Sequence, residues 1–234
     1  MIAGILKLVF VIAGVVGVSL GGFFAYLHVV DDTVPQAARQ AVFASFDGDL
    51  LAVSDVDQVA TAYGDGILGQ LSDAVDKLSF ISWKDGRPAV ASSVPVSNSV
   101  VSWPKVVDVS PDGRRAYVVE TRAAPHKRVD QVSDVYAAFP EGKLLTVIDI
   151  SQPDGISLID RVEVGVNLAS VDIRVDGKML AIPSTKDGEE LVLVSLTDDG
   201  RVGKRFAFHV DVPKGQYVRP GVAAPKTTGS SCPS

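Results

Sequence analysis

From residue 41 onward, short runs of alternating apolar and polar residues are cut by Gly, Asp and Pro. In Val106–Glu120, VVDVSPDGRRAYVVE, Val107 and Val109 alternate with Asp108 and Ser110, the period-2 pattern of a half-buried strand. Pro111-Asp112-Gly113 predicts a tight turn, since proline presets φ, Asp bonds its own backbone and Gly tolerates positive φ. Ala116–Val119 then resumes an apolar, β-prone run.

The same hairpin recurs on either side. Ala41–Ser54, AVFASFDGDLLAVS, turns at Asp47-Gly48, and Ser170–Ser184, SVDIRVDGKMLAIPS, turns at Asp176-Gly177. The turn aspartates 47, 112 and 176 lie 65 and 64 residues apart, and self-similarity at a near-constant interval marks a repeat architecture. Two further strands are predicted after each hairpin: Lys77–Trp83 and Arg87–Pro95, Leu144–Ile150 and Ser157–Val164, Glu190–Leu196 and Gly203–Val210. Four strands per unit joined by Gly/Asp turns describe a propeller blade. The expected fold class is therefore all-β, with propeller-like blades of four antiparallel strands, preceded by one N-terminal transmembrane helix.

The middle unit, VVDVSPDGRRAYVVE followed by LLTVIDIS, resembles the YVTN-type repeats of bacterial β-propellers, a group that includes lactonase-like and surface-layer proteins. The resemblance runs from about Ala37 to about Pro213 and is strongest in the middle unit; in the first, Phe46 replaces the proline. It implies a propeller fold. It does not select one activity, because such folds serve as enzymes, binding modules and scaffolds alike. Propellers close with four to eight blades, and three are readable here. A divergent further part that the repeat pattern does not reveal, a shortened propeller, a ring completed by another chain, and an incomplete fragment of a longer propeller are all compatible with that count.

Residues 8–30 carry no charge, and about 20 apolar residues suffice to cross a bilayer as a helix. Residues 1–30 are thus expected to be a signal anchor or transmembrane helix, 31–40 a linker, 41–213 the repeats and 214–234 a disordered tail. Lys7 precedes the span and no basic residue follows it until Arg39. The positive-inside rule then leaves the bulk of the chain outside. The expected location is a bacterial inner membrane, single-pass, with a periplasmic domain. The alternative is secretion after cleavage near Gly21 or Ala25. Ala13, Gly17, Gly21 and Ala25 recur every four residues, a small-residue stripe that suits helix pairing; a Gly-rich span without pairing gives the same pattern.

The net charge is −6, and all 28 acids but only 21 of the 22 basic residues lie after residue 30. An acidic domain argues against nucleic acid as a partner. The single cysteine, Cys232, allows no intrachain disulfide. The expected partners are the membrane and a second copy or another protein that completes the propeller. No cofactor is indicated.

Two insertions, Asp55–Asp76 and Thr121–Gly142, occupy the same place between second and third strands of successive units. Equivalent connections emerge on one face of a propeller, and binding sites concentrate on such loops. In the second insertion His126, Lys127, Arg128, Asp130, Asp134 and Tyr136, with Phe139, form the candidate ligand- or partner-binding set, read against an ordinary solvated loop. Val129–Ala138 is expected to form a short helix. Asp55, Asp57, Asp65, Asp73 and Asp76 offer oxygens, but the spacing of a calcium loop is missing, and Gly64-Asp65-Gly66 reads as a turn. Histidines 28, 126 and 209 are scattered, so neither a metal site nor a catalytic set is assigned. Asp108, Asp149 and Asp172 fall on strands and are expected at exposed or turn-bonding positions. The leading functional expectation is a membrane-anchored, extracytoplasmic binding or scaffold protein. The lactonase-like resemblance implies, as the alternative, a hydrolase of a small cyclic ester or a propeller oxidoreductase.

Overall fold

The computed structural model describes residues 48–55, 65–69, 75–84, 86–98, 105–124, 131–134, 138–213 and 218. The chain divides into two units, Met1–Gly48 with Trp83–Arg87, and Asp49–Ser82 with Pro88–Ser234. In the first, the described residues are Gly48 and those around the turn between two strands. The second carries the sheets. The expected span 1–30, the linker 31–40 and the tail 214–234 (Val218 apart) lie outside the described residues. Among the described residues no helix is long and apolar enough to cross a membrane.

Among the described residues, eleven strands form three antiparallel sheets, each strand paired with its neighbour in sequence. The first sheet holds β1 (Leu50–Ser54), β2 (Lys77–Lys84) and β3 (Arg87–Pro95). The second holds β4 (Val107–Val109), β5 (Arg115–Val119), β6 (Leu144–Asp149) and β7 (Ser157–Glu163). The third holds β8 (Asp172–Ile173), β9 (Met179–Pro183), β10 (Leu191–Leu196) and β11 (Val202–Phe208). Two sheets are thus four-stranded meanders, as a blade requires. The first shows three strands, and the strand expected before Asp47 lies outside the described residues.

The turns follow the chemistry of their residues. Gly113 and Gly177 share φ +69°, and each donates its amide to the residue three earlier, Ser110 and Arg174, at 2.8 Å. Asp112 Oδ1 accepts the Arg114 amide at 3.1 Å and Asp176 Oδ1 the Lys178 amide at 3.0 Å. The β10–β11 connection, Thr197-Asp198-Asp199-Gly200, repeats the device: Gly200 has φ +78° and donates to the Thr197 carbonyl.

The core lies between the sheets. In the second sheet, Ala116, Val118 and Ile148 pack toward the first sheet with Leu78 and Phe80. Their alternates Tyr117, Val119, Leu145 and Val147 pack toward the third with Leu180, Ile182, Val192 and Val194. A sheet covered on both faces needs an unbroken apolar run, which explains AYVV and LLTVI. In the third sheet burial alternates: Val192, Val194 and Leu196 are buried while Leu191, Leu193 and Ser195 are half-buried, so only one face is covered. Each fully buried Val or Leu contributes about 1.5–3 kcal/mol, more than any turn bond, so inter-sheet packing holds the domain together.

The first strands of the second and third sheets lie side by side. Val171, entering β8, donates its amide to the carbonyl of Lys105, entering β4, at 3.0 Å. Asp108 Oδ2 on β4 accepts the Ile173 amide on β8 at 2.8 Å. Lys105 pairs with Asp172 and sits 3.7 Å from Asp108. Asp172 is buried, not exposed as expected. Asp149 holds to expectation: its carboxylate takes the Ser151 amide and hydroxyl and pairs with Arg115.

Candidate functional site

At the end of the sheets where second strands pass to third strands, polar side chains are buried and bonded. Glu120, directly after β5, is 4% exposed. One oxygen accepts the amides of Lys143 and Leu144, at 2.8 and 3.3 Å, and the other accepts the Ser97 hydroxyl. The carboxylate thereby staples the base of the Thr121–Gly142 insertion to the segment leaving the first sheet. Gly142 is demanded by this closure, since a Cβ there would stand 2.3 Å from the Glu120 carbonyl oxygen. Arg122 bridges Glu141, and Ala123 donates to Pro140, giving the insertion a short antiparallel neck.

The weave continues into the third sheet. Thr121 Oγ1 donates to the Leu168 carbonyl at 2.9 Å. Asn167, at φ +48°, donates its amide to the Gly142 carbonyl and its side-chain Nδ2 to Thr185 Oγ1. The Oδ1 atoms of Asn98 and Asn167 are buried and have no hydrogen-bond partner among the described residues.

The two insertions expected on one face meet there. Ile67 of the first bridges Gln131 of the second. Val132 donates its amide to the Gly66 carbonyl at 2.8 Å, and Gln131 Nε2 reaches the Asp65 carbonyl at 3.4 Å. Gly66 has φ +70°, and a Cβ on it would lie 2.0 Å from the Val132 carbonyl oxygen, so backbone meets backbone without intervening side chains. Leu68 and Phe139 are buried beneath.

Of the expected binding set, the structure describes Asp134, whose carbonyl accepts the Ala138 amide at 3.0 Å, and Phe139, which is buried and packs inward instead of lining a binding surface. His126, Lys127, Arg128, Asp130 and Tyr136 lie outside the described residues, as do Ala13, Gly17, Gly21 and Ala25. The helix expected over Val129–Ala138 stands at Ala138, whose amide bonds the carbonyl four residues back, and is corrected at 131–134. Those residues are non-helical, because Gln131 and Val132 are drawn into extended pairing with the first insertion. Asp65 Oδ1 accepts the Ile67 amide at 2.9 Å, a local bond. Among the described residues no group of three or more His, Cys, Asp or Glu could hold a metal.

At the opposite end, a cavity of about 460 Å³ lies among the turns of the second and third sheets, with Tyr117, Arg115, Asp112, Asp176 and Asp199 in its walls. Its polar groups are committed to one another. Tyr117 Oη donates to the Gly200 carbonyl at 3.1 Å, and burial pushes the phenol up to about 12. Arg115 donates to the Asp199 carbonyl at 3.0 Å and pairs with Asp149 at 3.1 Å. Hydroxyls hold the carboxyls of Asp112, Asp149 and Asp199 below the usual range: Ser110, Ser151 and Thr197 respectively. This end fastens the sheets, and the insertion end presents a built surface.

Fold and site together define, among the described residues, an all-β protein of blade-like antiparallel sheets with two loop insertions meeting at one end. No protein-family profile and no curated protein matches the chain. Among solved structures it is similar to the periplasmic gluconolactonase of Pseudomonas aeruginosa, at 16% identity and TM-score 0.42 over 62% of this chain and 37% of that one. It is similar also to a candidate 6-phosphogluconolactonase of Bacteroides fragilis, at 12% identity and TM-score 0.41 over 57% and 33%. A third is the hydrazine synthase of Kuenenia stuttgartiensis, at 14% identity and TM-score 0.38 over 63% and 36%. The chain spans about a third of the length of these structures. Similarity at this level says nothing of activity.

Proposed function

We propose that the chain is a membrane-anchored, extracytoplasmic protein of β-propeller blades that binds or scaffolds a partner on the face where second strands pass to third strands. The carrying observation is the junction of two insertions from successive sheets, Ile67 on Gln131 and Val132 on Gly66. A connection needs only a few residues, yet both are long and are held to each other by backbone bonds. The YVTN-type resemblance supports the blade reading, and the uncharged stretch 8–30 supports anchoring in a bacterial inner membrane with the bulk in the periplasm.

The test uses the full chain expressed in a Gram-negative host. Retention in the membrane after alkaline washing, with the C-terminal part digested only after the outer membrane is opened, is the expected result. Release by washing or resistance to protease overturns the anchoring. For the binding face, a photo-cross-linking residue is placed at Ser133 in the platform and, separately, at Leu158 on β7, which is 44% exposed. A discrete adduct from position 133 alone is expected; equal adducts from both positions, or none, overturn the assignment of the face.

A further inference from the structure

We draw no further inference here: the strongest candidate, the cavity of about 460 Å³ among the turns of the second and third sheets, belongs to the fastening already described, since Tyr117, Arg115 and the turn aspartates in its walls are spent on bonds within that joint, and its other charged side chains, Arg114, Lys178 and Asp198, are exposed and of both signs, so that nothing in the structure points to a ligand.

Discussion

The Tyr117 hydroxyl donates to the Gly200 carbonyl across the joint between the second and third sheets, 3.1 Å away and 83 residues along the chain. Beside it Arg115 reaches the Asp199 carbonyl. The residue that ends one turn is thus clamped by the strand of another sheet. Tyr117→Phe removes one hydrogen bond from a buried ring and is expected to cost about 1 kcal/mol in urea unfolding, with an unchanged slope. A loss near zero would show that the bond adds nothing to the packing of the ring.

The same phenol gives an alkaline signature. Its pKa in the fold, about 12, lies above the unfolded value near 10. Between the two, the unfolded chain releases a proton that the folded chain keeps, so stability falls as pH rises from 10 to about 12. Tyr117→Phe is expected to flatten that limb in thermal melts; an unchanged limb would count against a buried phenol.

Gly200 and Gly113 separate conformation from space. Both hold positive φ, but a Cβ at Gly113 meets nothing within 4 Å, whereas at Gly200 it stands 2.7 Å from Arg115 Cγ and 3.2 Å from the Tyr117 hydroxyl. Gly113→Ala is expected to cost about 1–2 kcal/mol, the backbone penalty alone. Gly200→Ala adds displacement of the clamp and is expected to cost more. Equal losses in paired urea titrations would mean that the clamp yields freely.

Asp108 joins two sheets through a charged acceptor on a backbone amide. Asp108→Ala leaves the Ile173 amide without that partner and is expected to cost about 1.5–3 kcal/mol. Asp108→Asn keeps an acceptor and is expected to lose less. Hydrogen exchange at Ile173 reads the effect directly: faster exchange in the alanine variant is expected, and an unchanged rate would place the tie elsewhere.

Glu190, buried ahead of β10, accepts the amides of Val210 and Gly188 and the His209 ring. The Val210 amide above all holds its carboxyl down to about 2, against an ordinary value near 4.5. The unfolded chain takes up its proton first, so this contribution is present above pH 4.5 and is lost as pH falls toward 2. Glu190→Gln is expected to shrink the acid dependence of the melting temperature over that window, and a variant with the full acid limb would contradict the assignment.

The strands were legible because their signals are local. Lys77–Lys84, Arg87–Pro95 and Leu144–Asp149 fall on alternating or β-branched runs bounded by turn residues. The turn at Thr197–Gly200 carries the same Asp-Gly chemistry and could have been found by that rule. The platform was legible only as two insertions on one face. Their joining, and the extended backbone at Gln131 where a helix was expected, depend on a partner about 65 residues away. Buried Asp172 is of the same kind, since its place on a strand is local while its pairing with Lys105 of the preceding sheet is not.

By itself the sequence determined the repeat interval, the strand order and the Asp-Gly turns, because each follows from sterics and hydrogen bonding within a few residues. Only the tertiary structure decided which faces are covered. Val118 and Val119 are both buried because sheets lie on either side, whereas Leu193 and Phe206 share the outer face of the third sheet. Burial is a property of what arrives from elsewhere in the chain, and no local pattern specifies it.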